Sequence, residues 1–186
     1  MNRIPSLAFA CFLLLALTGC GGPTVATGGD PTLDREARQA LEQLFAQTPE
    51  ANSVVRPKAK AVVVFPNIVK AGFIFGAQGG KGVMFDRDGK VVAYYRVRGV
   101  SYGLQAGAQA YSEALFLMTD EAITELTSGA GLSLGVGPSV VVVDVGAAKS
   151  LTTTTLKADV YAFIFGQEGL MAGLGVQGQR IVKFDD

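Results

Sequence analysis

Histidine is missing from all 186 residues, which removes His-dependent nucleophilic triads and imidazole metal sites at once. Cysteine is nearly missing too. Cys11 and Cys20 are the only two, and both fall near the N-terminus, where their fate depends on processing. Long apolar runs are absent as well: the stretch from Ile4 to Leu17 contains Pro5 and falls short of the roughly 20 residues a spanning helix needs. There is no excess charge of either sign, with 16 basic and 16 acidic side chains. What remains for an enzyme is carboxylate, lysine, serine or tyrosine chemistry. Ser101 or Ser112 beside a lysine or glutamate rests on residue availability alone, and nothing in the pattern asks for a cofactor or a metal. The expectation is a protein that is not an enzyme.

What is present begins with the leader. Met1-Asn2-Arg3 supplies one positive charge, Leu7 to Leu17 an apolar stretch, and Thr18-Gly19 a small-residue step before Cys20. This is the order of a secretory signal, and a cysteine in that place resembles the bacterial lipoprotein cleavage box. Cys20 would then carry acyl chains such as palmitate, and Cys11 would be lost with the leader. Cleavage leaves 167 residues, enough for one domain with a sizeable core but no intramolecular disulfide. Gly21, not Asp, follows the cysteine, which resembles the pattern sorted to the outer membrane. The expected organisation is a signal over residues 1–19, a lipidated Gly- and Pro-rich tether over 20–31, and a single domain over 32–186.

The domain opens with a helix. Asp30 or Thr32 can cap it, Pro31 is tolerated in its first turn, and Leu33, Ala37, Ala40, Leu41 and Leu44 recur on one face before Pro49 ends it. After Ala59 the period changes to two. Ala61–Phe65 reads as a strand stopped by Pro66, and Gly72–Phe85 and Val91–Val97 as strands joined through Asp86-Arg87-Asp88-Gly89. Tyr102–Met118 and Leu132–Val145 read as further strand, with a short helix capped by Thr119 between them. The threonine run 152–155 suits an edge or a solvated face. Glycines recur every fourth residue at 99, 103 and 107, at 131 and 135, and at 169 and 173. That spacing keeps them on one face of a strand, where glycine is useful if the sheet bends sharply. Ala71-Gly72-Phe73-Ile74-Phe75-Gly76 is echoed by Tyr161-Ala162-Phe163-Ile164-Phe165-Gly166, which suggests two related hairpins with their phenylalanines buried. The fold class expected is α+β, mostly β: a strongly curved or barrel-like antiparallel sheet with an N-terminal and a short internal helix.

Charge is unevenly spread along the chain. Residues 56–98 hold nine basic side chains against Asp86 and Asp88, whereas 99–186 hold nine acids against four bases. A local excess of about seven positive charges suits anionic lipid headgroups or acidic protein surfaces. The candidate lipid-contacting residues are Lys58, Lys60, Lys70, Lys81, Arg96 and Arg98, with Arg96 and Arg98 side by side on one face of a strand. Nucleic acid does not suit a chain of zero net charge carrying an export signal.

Several blocks, taken in order, carry a resemblance. Lys60-Ala61-Val62-Val63-Val64-Phe65-Pro66 and Lys70–Gly76 are followed by Gly103-Leu104-Gln105-Ala106-Gly107-Ala108-Gln109 and Leu115–Thr119. Thr154–Ala158 and Gly169-Leu170-Met171-Ala172-Gly173 complete the series. Spread over almost the whole expected domain, they resemble the SYLF family. The resemblance implies a lipid-binding domain without catalytic activity. Eukaryotic relatives bind phosphoinositides and, in fungi, actin filaments, and bacterial members are often exported lipoproteins. The expectation is therefore a lipid-anchored envelope protein that binds membrane phospholipids of anionic character. The alternative is a structural or protein-interaction lipoprotein, with actin or a host protein as partner by family analogy.

Overall fold

The computed structural model describes residues 29–128, 130–134, 140–143, 148–152 and 154–184; at 103–105, 134 and 171–177 the description is confined to the backbone. The expected signal, Cys20 and most of the tether lie outside the described residues. Helix α1 spans Pro31–Gln47, with Asp30 as its cap accepting a hydrogen bond from the Leu33 amide and Pro31 in the first turn. A π-turn over Ala51–Val55 and a 3-10 turn over Arg56–Lys58 lead into the sheet. Strand β1 is Ala61–Asp86, β2 is Val91–Leu117, α2 is Asp120–Thr127, β3 is Leu132–Leu134, β4 is Val140–Val143 and β5 is Val160–Phe184. Thr119 caps α2. The sheet runs β1-β2-β5-β3, antiparallel throughout, and β4 adds to β5 in parallel.

Three strands of 25 to 27 residues would each reach roughly 85 Å if straight. A domain of this size has a radius of gyration of about 15 Å, so the ribbon must bend. It does so by folding on itself. A Cβ added at Gly80 would lie 2.6 Å from the Asn67 carbonyl oxygen, and one at Gly82 would lie 2.7 Å from that of Val64. The two halves of β1 therefore abut, and only glycine permits the approach. The result is a curled half-barrel.

Register shifts in β1 between Phe65 and Ile68 and between Phe73 and Phe75 mark where pairing is interrupted. Pro66, expected to stop the strand, sits in the first of these irregularities, where a missing N–H is tolerated, and pairing resumes beyond it. The separate strands expected over 61–65 and 72–85 are thus one, as are those over 91–97 and 102–118. Of the threonine run, Thr152, Thr154 and Thr155 are exposed and form a turn, the solvated placement of the two expected, with Thr155 N donating to Thr152 O at 3.0 Å.

The core has two parts, one on each face. On the outer face, Leu33, Ala37, Ala40 and Leu44 of α1 pack on Val62, Val64, Val83, Phe85, Tyr94, Phe116, Phe163 and Phe165. Tyr94 fastens the start of α1 to β2: its hydroxyl accepts from Asp30 N at 3.0 Å and donates to Asp34 Oδ1 at 2.9 Å. On the inner face, Phe65, Ile68, Met84, Tyr95, Val97, Leu115 and Leu117 pack with Ala122 and Leu126 of α2.

The expected echo divides between two environments. Phe163 and Phe165 are buried as anticipated, but Phe73 and Phe75 are 75% and 71% exposed. The reason is coverage. Segment 161–166 pairs with the end of β2 beneath the outer-face core, whereas 71–76 pairs with 101–108 in the middle of the ribbon. Nor are these two hairpins: β1 and β5 flank the same strand, β2.

Candidate functional site

Strand alternation places Tyr94, Arg96, Arg98, Val100 and Tyr102 on the outer face of β2. Their cross-strand partners extend the row sideways. Lys81 of β1 stands opposite Arg96, and Arg180 of β5 stands opposite Arg98. Lys81 Nζ and the Arg96 guanidinium carbon both approach the ring of Phe184, at 5.3 and 4.8 Å from its centroid. Two cations sharing one aromatic ring gain cation–π attraction while still repelling each other.

The Arg98–Arg180 pair is the more telling contact. Like charges directly opposite on an antiparallel pair are destabilising. Arg180 turns its Nε to the Ala130 carbonyl at 2.8 Å, and Arg98 makes no hydrogen bond or ion pair among the described residues. Between them lies a shallow groove of about 310 Å³, completed by Gly99, Val100, Gly178 and Gln179. Two guanidiniums over a small apolar groove form a ready seat for an anion, because they offer planar forks of N–H donors that match phosphate oxygens.

The six basic residues singled out in the sequence do not come together as one patch. Lys81, Arg96 and Arg98 share the outer face, and Arg180 joins them from 82 positions beyond Arg98 in the chain. Lys58 is exposed on the 3-10 turn. Lys60 forms an ion pair with Asp120 at the start of α2. Lys70 is opposite Gln109 and belongs to the inner-face register. Sequence reasoning missed Arg180, which lies in the acid-rich half; only the β2–β5 register could have found it.

The sequence also gave no sign of a buried polar chain on the inner face. Tyr111 donates to Gln78 Oε1 at 3.1 Å, Gln78 Nε2 to Gln179 Oε1 at 2.8 Å, and Gln179 Nε2 to both oxygens of Glu113 at 3.0 Å. Burial pushes the Glu113 carboxyl up to about 7, against the lowering effect of the Gln179 hydrogen bond. Ser112, considered as a nucleophile, donates its hydroxyl to the Pro66 carbonyl at 2.7 Å. Ser101 is buried. Among the described residues no cluster of acidic or cysteine side chains is arranged for a metal, and no helix is long and apolar enough to cross a membrane.

Residues 98–186, which supply Arg98, Arg180, most of β2 and all of β5, match the family model described as Ysc84, Las17-binding protein actin regulator. Over residues 98–186 the chain belongs to the SYLF-domain family. It is 29% identical over 132 residues to the SH3 domain-containing YSC84-like protein 1 of Rattus norvegicus, and 28% identical to those of Bos taurus and Homo sapiens. Each match takes in 68% of this chain and 38% of the relative. The chain thus spans well under half the length of these curated relatives. The SYLF match contains Arg98 and Arg180, while Lys81 and Arg96 lie on its N-terminal side.

Proposed function

We propose that this SYLF chain is a lipid-anchored envelope protein whose domain binds anionic phospholipid headgroups and catalyses no reaction. The observation that carries the reading is the Arg98–Arg180 pair over its groove, with Lys81 and Arg96 alongside on the same face. An anion seated between the guanidiniums relieves their repulsion, so binding and local stability reinforce one another. Cys20 supplies the covalent anchor, and the Gly21 that follows it supports placement at the outer membrane. Several acyl chains hold a protein stably where one does not. The domain then works at a surface to which it is already confined.

A second reading is supported by the family's description as an actin regulator. In it, the same cationic face docks an acidic protein surface. Flotation of residues 21–186 with vesicles separates the two. Lipid binding predicts co-flotation with phosphatidylglycerol-containing vesicles, weakened by salt, and little with phosphatidylcholine alone. No flotation with either would overturn it in favour of a protein partner.

A further inference from the structure

The middle of the ribbon carries a feature that the cationic face does not explain. β1 turns sharply between two glycines: a Cβ on Gly72 would lie 2.4 Å from Gly76 Cα and 2.6 Å from the Phe75 carbonyl oxygen. The three residues at the apex are Phe73, Ile74 and Phe75. Ile74 has φ +65°, the one positive φ outside glycine among the described residues, and a β-branched side chain adopts that conformation only under strain. None of this gains burial, since both phenylalanines and Ile74 are exposed. Phe75 instead packs on the ring of Tyr102 across the strand pair, with centroids 5.0 Å apart. Val100 and Leu170 extend the same outer face, Leu170 at 89% exposure.

We infer that the Gly72–Gly76 knuckle is a membrane-inserting tip, which seats Phe73 and Phe75 below the headgroups of an anionic bilayer. This rests on the phospholipid reading and adds depth and orientation to it. Soluble domains rarely expose a contiguous apolar patch without an occupant, and the occupant here is selected by charge. Arg98 lies four residues from Tyr102 on β2, roughly 13 Å back along the strand. That places the guanidiniums of Arg98 and Arg180 among phosphates when the phenylalanines reach the acyl boundary. Tyr102, with an apolar body and a polar tip, suits the interface between them. A stable protein interface engages roughly 20–30 residues a side on a broad surface, which a narrow convex knuckle does not offer.

The chain contains no tryptophan, so Phe75→Trp creates a sole reporter at the tip. Because the site is exposed, the change should leave the melting temperature unaltered, and Phe73→Trp serves as a second reporter. Val92→Trp, on an exposed position near the start of β2, is the control. The acylated full chain is placed in vesicles of equal parts phosphatidylcholine and phosphatidylglycerol, with bromine on the acyl chains. The expected result is quenching several-fold greater for the tip reporters than for the control, together with protection from aqueous iodide. Iodide access without bromine quenching would overturn the inference. Protection from both quenchers would also overturn it, since a second copy or another protein would then cover the tip. A wet tip with retained salt-sensitive flotation removes insertion and leaves headgroup binding standing. Loss of flotation as well removes both.

Discussion

Glu113 gives the fold a pH dependence opposite in sign to that of most carboxylates. Its side chain is buried on the inner face, and among the described residues its hydrogen-bond donor is the Gln179 amide. In the unfolded chain the carboxyl titrates near 4.5, whereas burial raises it to about 7 in the fold. Between those values the folded state keeps a proton that the unfolded state has lost. The stabilisation is therefore complete below about pH 4.5 and falls as pH rises through the window to about 7. At about 1.4 kcal/mol per unit, the full span is worth up to about 3 kcal/mol. Glu113→Gln retains the shape and an acceptor for Gln179 while removing the charge. Urea unfolding of residues 21–186, parent and variant, measures the difference at each pH. The two should be close in stability at low pH, and the variant should gain up to about 3 kcal/mol by pH 8. Taking the difference cancels the carboxylates common to both chains. Parallel stability curves across this range would refute the argument and show that Glu113 ionises with little penalty.

Tyr95 has a buried hydroxyl with no hydrogen-bond partner among the described residues, so Tyr95→Phe should leave stability unchanged or raise it by about 1 kcal/mol; a loss above that in urea unfolding would show a missed partner. Phe165→Ala should cost roughly 3–5 kcal/mol, whereas Phe75→Ala, at an exposed position, should stay within about 0.5 kcal/mol. Equal effects of the two in the same titration would contradict the division of the echo. Arg96→Ala with Arg98→Ala should weaken binding of residues 21–186 to anionic vesicles about tenfold to thirtyfold, at about 1 kcal/mol for each charge. The effect should shrink as salt rises; circular dichroism must show the fold intact, because Arg96 also packs on Phe184. Cys20→Ser should abolish acylation and release the exported chain from detergent-phase partition, and complete retention there would leave the anchor without a role.

Local signals in the sequence carried much of the architecture. The cap at Asp30, the apolar stripe of α1, the Asp86–Gly89 turn and the Thr119 cap are each decided by neighbours within a few residues, and each is found where the pattern put it. The bent sheet was also readable, since Gly99 of the repeating glycines lies on a face of β2 where a side chain does not fit. A Cβ on Gly99 would lie 2.8 Å from both Gln78 and the Gly178 carbonyl. Long-range pairing was not readable. Pro66 looks like a stop because a proline cannot donate to a ladder, but an irregularity absorbs it. Lys60 looks like part of a basic cluster until α2 brings Asp120 beside it. Arg180 becomes a neighbour of Arg98 only through a register set by two strands 82 residues apart.

The two phenylalanine strings show what decides the fate of a local sequence. Both read Phe-Ile-Phe-Gly, and both lie on strands that pair with β2. A 17-residue helix is only about 25 Å long, so α1 reaches the outer face near the strand ends and leaves the middle of the ribbon bare. Phe163 and Phe165 fall under that cover, whereas Phe73 and Phe75 fall beyond it. Folding alone would accept threonine or lysine at the uncovered positions, because those side chains bury nothing there. Retaining aromatics on a strained, glycine-bracketed apex carries a solubility cost with no return from the core. On the proposed reading, the return comes from the bilayer, where the same apolar area leaves water when the tip inserts. The bend that lets three long strands fit one small domain is then also what lifts Phe73 and Phe75 clear of it.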